Sequence, residues 1–125
     1  MSSPLCVLIV EDDFLIRACL TEFLQDDGAT VLEAESCAEA FSHLRSDAVI
    51  DVMITDISLP DGNGKSLSRA ARTDRPDLPV IFTTGYSAGA DGLAEELRSR
   101  DRVISKPYPL ATVLRLLHEV TQTAA

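Results

Sequence analysis

The chain has 125 residues, 46% of them hydrophobic and 25% charged, the balance of one soluble globular domain rather than a disordered segment. Its formal net charge of −9 lacks the basic footprint of a nucleic-acid binder. No apolar stretch nears the roughly 20 residues that would cross a bilayer, and "MSSPLCVLIV" has neither the basic region nor the cleavage site of a signal peptide.

Apolar runs alternate with helical patterns along the chain. "LCVLIV" (5–10) is continuously apolar, as a strand buried on both faces must be. Ile16, Cys19, Leu20, Phe23 and Leu24 follow at helical spacing, and the helix stops near Gly28. "TVLEA" (30–34) reads as a second strand near a sheet edge. Ser36 and Glu39 form a capping-box pattern that opens a helix with a core stripe of Cys37, Ala40, Phe41 and Leu44. A third strand over about 49–55 climbs to Asp56, where the chain breaks into Ser58, Pro60, Asp61, Gly62, Asn63 and Gly64. Leu67, Ala70 and Ala71 mark a third helix, ended by Pro76. "PVIFTT" (79–84) is the fourth strand, and Ala90, Leu93, Ala94 and Leu97 make a fourth helical stripe weakened by Gly89 and Gly92. "RVIS" (102–105) is the fifth strand, and Leu110, Val113, Leu114 and Leu117 define the last helix.

Five strand–helix units with short connections predict right-handed crossovers and a parallel sheet covered on both faces. Five are too few for an eight-stranded barrel, so the expected class is α/β with an open, doubly wound (βα)5 sheet. The single domain is expected over 1–125, with a core of about 5–121. Cys6, Cys19 and Cys37 are scattered and odd in number, and read as small core residues in a reducing cytoplasm. No cluster with zinc-ligand spacing exists.

In an open parallel sheet, ligands bind beyond the carboxyl ends of the strands. There the sequence places Glu11-Asp12-Asp13, Asp56, Thr83-Thr84 and Ser105-Lys106-Pro107, with Glu33 to Glu35 expected to one side. Crowded carboxylates repel, and a hard divalent cation such as Mg²⁺ resolves the repulsion. Lys106 and a Thr hydroxyl suit the equatorial oxygens of a transferred phosphoryl group. Asp56 is the expected nucleophile, held by the Pro60 turn and the glycines at a tip open to solvent. Asp13 is expected to cap the first helix or to face water, Thr83 to face away from Thr84, Tyr108 to pack near the site, and Asp61 to be a solvated turn residue. His43 and His118 read as ordinary surface histidines without acidic partners.

Four motifs in order, "VLIVEDD", "TDISLPDGNG", "PVIFTTG" and "ISKP", together resemble the receiver domain of a bacterial two-component response regulator across nearly the whole chain. The resemblance implies a flavodoxin-like receiver fold with strand order 2-1-3-4-5. It implies that Asp56 accepts phosphate from a histidine kinase or phosphotransfer protein. Asp12 would be a direct Mg²⁺ ligand, Glu11 a ligand through water, and the Ser58 backbone carbonyl would complete the shell with Asp56. Thr84 and Lys106 would stabilise the phosphoryl group, Gly85 would admit it, and the Lys106–Pro107 bond would be cis. The aromatic switch residue expected on the fifth strand is replaced by Val103. "FTTGYS" resembles a receiver subset without that aromatic, and in this chain Tyr86 is expected to move in its place.

The leading expectation is therefore a cytoplasmic phosphorylation switch acting through a downstream protein partner. It would use neither nucleic acid nor membrane directly, and a weak or phosphorylation-dependent homodimer is left open. It would catalyse only its own phosphorylation and dephosphorylation. No output domain is expected after "TQTAA", although an excised fragment of a longer regulator fits as well. One rival is a degenerate receiver that binds a partner without phosphorylation. Another is a small aspartyl-phosphate phosphatase, disfavoured because Ser58 stands where a second acid is wanted and no cap segment exists.

Overall fold

The computed structural model describes residues 4–85 and 97–121. Each apolar run becomes a strand: β1 (Cys6–Val10), β2 (Thr30–Ala34), β3 (Val52–Asp56), β6 (Val80–Thr84) and β7 (Arg102–Ser105). A two-residue hairpin, β4 (Ser58–Leu59) with β5 (Gly62–Asn63), follows β3, so the expected fourth and fifth strands are β6 and β7. The five long strands form a parallel sheet in the order β2-β1-β3-β6-β7, which is the 2-1-3-4-5 order expected.

Four helices are described: α1 (Phe14–Asp26), α2 (Cys37–Leu44), α3 (Gly64–Asp74) and α4 (Leu110–Thr121). Alternation along the strands sends side chains to two separate cores. Leu8, Val10, Met53, Val80 and Phe82 pack with α2 and α3 on one face. Val7, Ile9, Val52, Ile54 and Ile81 pack with α1 and α4 on the other. β1, β3 and β6 are buried throughout or nearly so, which explains their unbroken apolar spelling.

Local chemistry sets the boundaries. Asp13 Oδ1 accepts from the Ile16 amide at 3.0 Å and caps α1, as expected. α1 ends before Gly28, whose φ of 96° is open to glycine at little cost. Ser36 caps α2 through the Glu39 amide, but Glu39 reaches back to the Glu35 amide rather than that of Ser36, so the capping box is displaced by one residue.

Several expectations need correction. β3 starts at Val52 rather than 49, because Val49 is 64% exposed and the Asp51 carboxylate turns to accept from the Cys6 amide. Leu97 is exposed, not part of a core stripe. The rest of the fourth helical stripe, with Gly89 and Gly92, lies outside the described residues. His118 does have an acidic neighbour, Asp27, at 3.9 Å.

The cysteines differ in environment: Cys37 is buried, Cys6 half-buried and Cys19 exposed, which corrects the reading of Cys19 as core. Cys19 occupies a helix position at the edge of the packed stripe, where spacing alone does not separate core from rim. Burial, reinforced by the charge of Asp61, pushes the Cys37 thiol from its ordinary 9.0 up to about 11. The unfolded thiol ionises first, so this group's contribution to stability is complete below pH 9.0 and is lost as pH rises through about 11. Iodoacetamide at pH 8 is expected to label Cys19 first. Cys37 should lag behind it, because burial both shields the thiol and holds it in the unreactive protonated form. Mass spectrometry of timed aliquots checks the order, and equal rates would contradict the buried placement.

An ion pair unforeseen from sequence ties the far end of the sheet together. The guanidinium of Arg72 on α3 meets the carboxylate of Asp101, and both side chains are almost wholly buried. Asp101 also accepts from the amides of Val80 at 2.9 Å and Arg98 at 2.8 Å. Arg75 performs a similar service for the loop after α2, donating to the carbonyls of Leu44, Ser46 and Ala48.

Candidate functional site

At the carboxyl edge of the sheet, β1 ends at Val10 and β3 at Asp56, so Glu11, Asp12 and Asp56 arrive side by side. One carboxylate oxygen from each lies within 4.8 Å of the others. Lys106, one residue past β7, places its Nζ 2.5 Å from Glu11 Oε1 and 2.9 Å from Asp56 Oδ2. It is anchored by its own amide, which donates to Thr84 O at 2.7 Å. Asp12 is exposed, whereas Glu11 and Asp56 are buried.

Asp56 is not at an open tip as expected; it is 8% exposed. β3 runs on to include it, β1 and β6 flank it, and the β4–β5 hairpin folds back beside it. The Ser58 amide donates to Asp56 Oδ1 at 3.3 Å. Ile57 N–H donates to Thr83 O, and Gly64 N–H closes the loop onto Ile57 O at 2.8 Å. A Cβ on Gly64 would stand 2.5 Å from Asp56 O, so only glycine lets the chain return this closely. The Pro60-Asp61 corner between β4 and β5 has the proline where its fixed φ suits a tight turn.

Charge in the cluster is finely divided. Burial raises the Glu11 carboxyl above its ordinary value, while hydrogen bonds from Lys106 and the Asp13 amide pull it down. Burial works against the Lys106 charge too, yet bonds to Asp56 and Glu11 prevail and hold its pKa above 10.5. Both values rise, with opposite effects on charge: Lys106 stays charged between two carboxylates, whereas Glu11, which shares one ammonium and also faces Asp56, is pushed toward its neutral form. Tyr108, half-buried beside them, has its phenol raised by burial and then by the charge of Glu11.

Arg17 supports the acidic loop from below. Its Nη1 donates to the Glu11 backbone carbonyl at 2.7 Å, and its Nε reaches Glu33 Oε1 at 3.1 Å. Its position one helical turn after Asp13 was the only signal the sequence carried for this. Asp61 is exposed, but it is no mere solvated turn residue: its carboxylate accepts from the amides of Cys37 and Ala38.

Of the other expected site residues, Thr84 is buried at the end of β6, while Gly85 is exposed and a Cβ there would meet nothing within 4 Å. Thr83, buried, is in register with Asp56. Val103 is 40% exposed on β7, at the sheet edge. The Lys106–Pro107 bond is cis. Tyr86 lies outside the described residues. Beside Lys106, an apolar groove of about 580 Å³ is lined by Leu15, Ile16, Cys19, Pro107, Tyr108 and Leu110.

The family model for the response regulator receiver domain matches residues 7–118. The chain belongs to the response regulator receiver family. This receiver is 33% identical over 108 residues to the transcriptional regulatory protein PhoP of Escherichia coli, a match covering 86% of this chain and 48% of that protein. It therefore spans about half the length of the curated relatives it matches. The non-phosphorylated HemR receiver domain of Leptospira biflexa is similar in structure, with a TM-score of 0.81, 30% identity and 97% of each chain covered. A CheY-like receiver domain protein of Methanospirillum hungatei aligns with a TM-score of 0.84 at 26% identity, covering 94% of this chain and 93% of that one. No described helix of this receiver is long and apolar enough to cross a membrane.

Proposed function

We propose that this receiver is a cytoplasmic phosphorylation switch that takes a phosphoryl group onto Asp56 from a histidine kinase or phosphotransfer protein and then changes its binding to a downstream protein. The observation that carries the reading is Lys106 bridging Glu11 and Asp56 while Asp12 stands within 4.8 Å of both acids. Three carboxylates against one ammonium leave excess negative charge in a half-enclosed place, and that donor set fits a hard divalent cation. Glu11, Asp12 and Asp56 would hold Mg²⁺, with the Ser58 carbonyl proposed as a further ligand. When bound, the ion supplies charge neutralisation for an incoming phosphoryl group.

The residues of the chain divide the remaining work. An Asp56 oxygen attacks phosphorus as the bond to the donor's histidine nitrogen breaks. Lys106 turns from the attacked carboxylate to a phosphoryl oxygen, and the Thr84 hydroxyl donates to another. The open space at Gly85 supports entry of the group. Exposed Phe14 and Leu15 and the groove beside Lys106 support docking of a donor protein close to Asp56. With Val103 in place of an aromatic ring, we assign the switching movement to Tyr86.

A ¹⁵N–¹H NMR titration with Mg²⁺ and beryllofluoride, a mimic of phosphoryl aspartate, tests the reading, with Asp56→Asn as control. Shifts that need both additives and Asp56, and that extend from Thr84 into residues 86–100, are expected. Shifts confined to the acidic cluster would leave a phosphate carrier without the Tyr86 switch. No response would mean that the chain binds its partner without phosphorylation.

A further inference from the structure

We propose that Asp61 is a positioning residue for the loop that holds Asp56, an inference that rests on the phosphoacceptor reading above. Asp61 Oδ1 accepts from the Cys37 amide at 2.8 Å and Oδ2 from the Ala38 amide at 3.0 Å. These are the first two residues of α2, and Ser36 Oγ takes the next amide, that of Glu39, at 3.2 Å. The unpaired first-turn donors of α2 are thus shared between its own cap and a residue on the phosphoacceptor loop. An anion suits this place because the orphan amides and the helix dipole act together, and the two amides hold the Asp61 carboxyl below its usual range.

The same hairpin is fastened at its other end. Asn63 Oδ1 accepts from the Ser66 amide at 2.8 Å and caps α3. A ladder of two residue pairs has little stability of its own in water. Clamping it to two helix termini fixes the place of Ser58, its first residue, and the Ser58 amide donates to Asp56 Oδ1. Contact confirms the seating, since a Cβ on Gly62 would lie 3.1 Å from Cys37 Sγ. Asp61 touches no reacting atom; it acts through the hairpin, from α2 to Ser58 to Asp56.

The test compares Asp61→Ala, Asp61→Asn and Ser36→Ala. The last uncaps the same helix without touching the hairpin. With saturating Mg²⁺ and acetyl phosphate, Asp61→Ala is expected to slow phosphorylation of Asp56 about tenfold. Asp61→Asn, which keeps one acceptor oxygen, should fall between it and the parent. Ser36→Ala should stay within about twofold even where its melting temperature falls as far. Amide hydrogen exchange, read on the same samples, should rise at Ser58 and Gly64 in Asp61→Ala alone. An equal loss of rate in Ser36→Ala, or unchanged Ser58 exchange in Asp61→Ala, would reduce Asp61 to a helix cap and overturn the proposal. A parent chain that takes no phosphoryl group from acetyl phosphate would sink the phosphoacceptor reading instead, and Ser58 exchange would still decide the role of Asp61.

Discussion

Asp101→Ala is expected to lower the free energy of unfolding by about 3–5 kcal/mol, the range for breaking a buried ion pair by removing one partner. The carboxylate takes hydrogen bonds from Arg72, Val80 N–H and Arg98 N–H, and its side chain is 0% exposed. Its removal takes the carboxylate partner from the buried Arg72 guanidinium and leaves the buried Val80 amide without its acceptor, and each lost bond adds a desolvation cost. Replacing both charged residues, as Arg72→Met with Asp101→Leu, should not restore stability. The apolar pair satisfies neither Val80 nor Arg98, unlike an ion pair whose members bond only to each other. Urea unfolding of the two variants checks this. A loss below about 1 kcal/mol for Asp101→Ala would show that the site relaxes and takes in water.

Gly64→Ala should cost about 1–3 kcal/mol, as overpacking does, and should also disable the site. The added Cβ would meet Asp56 O at 2.5 Å and Thr55 Cγ2 at 3.1 Å. The first of these is backbone, which has no rotamer to escape into. The loop must open, and Asp56 moves with it. Loss of the beryllofluoride response in a variant that still unfolds cooperatively is the expected signature. An alanine variant with parent stability and an intact response would show that the loop has slack. Gly85 makes a useful contrast, because a Cβ there meets nothing within 4 Å and Gly85→Ala should leave stability nearly unchanged.

The sheet was legible because burial on two faces forces an unbroken apolar spelling, as in "LCVLIV" and "PVIFTT". The acidic cluster and Lys106 were legible for a related reason: a charged residue directly after such a run must sit at a strand end, where the sheet rule places ligands. Asp13 was legible from its position before a helical stripe. What escaped were pairings between distant residues. Arg72 and Asp101 are 29 positions apart, and periodicity cannot say which charge enters the core with which partner. A trace existed, since Arg72 falls beside Ala71 and four residues after Ser68 on the buried face of α3. Asp61 escaped because its partners are backbone amides, which carry no mark in a sequence. The exposure of Cys19 and of Leu97 depends on how far each packed face extends, and spacing fixes only its centre.

The division of the interior into two cores has a consequence for how such a chain can diversify. The sheet works as a partition, with Ile57 and Leu59 of the Asp56 loop packed on the α2–α3 side. The α1 and α4 side has its own set of interdigitated residues, including Leu20, Leu24, Val113 and Leu117. Substitutions that share no partners add in their effects rather than compounding. One face can therefore accumulate changes in shape, and with them new binding preferences, while the opposite face keeps the loop around Asp56 in register. The two halves can evolve on separate clocks.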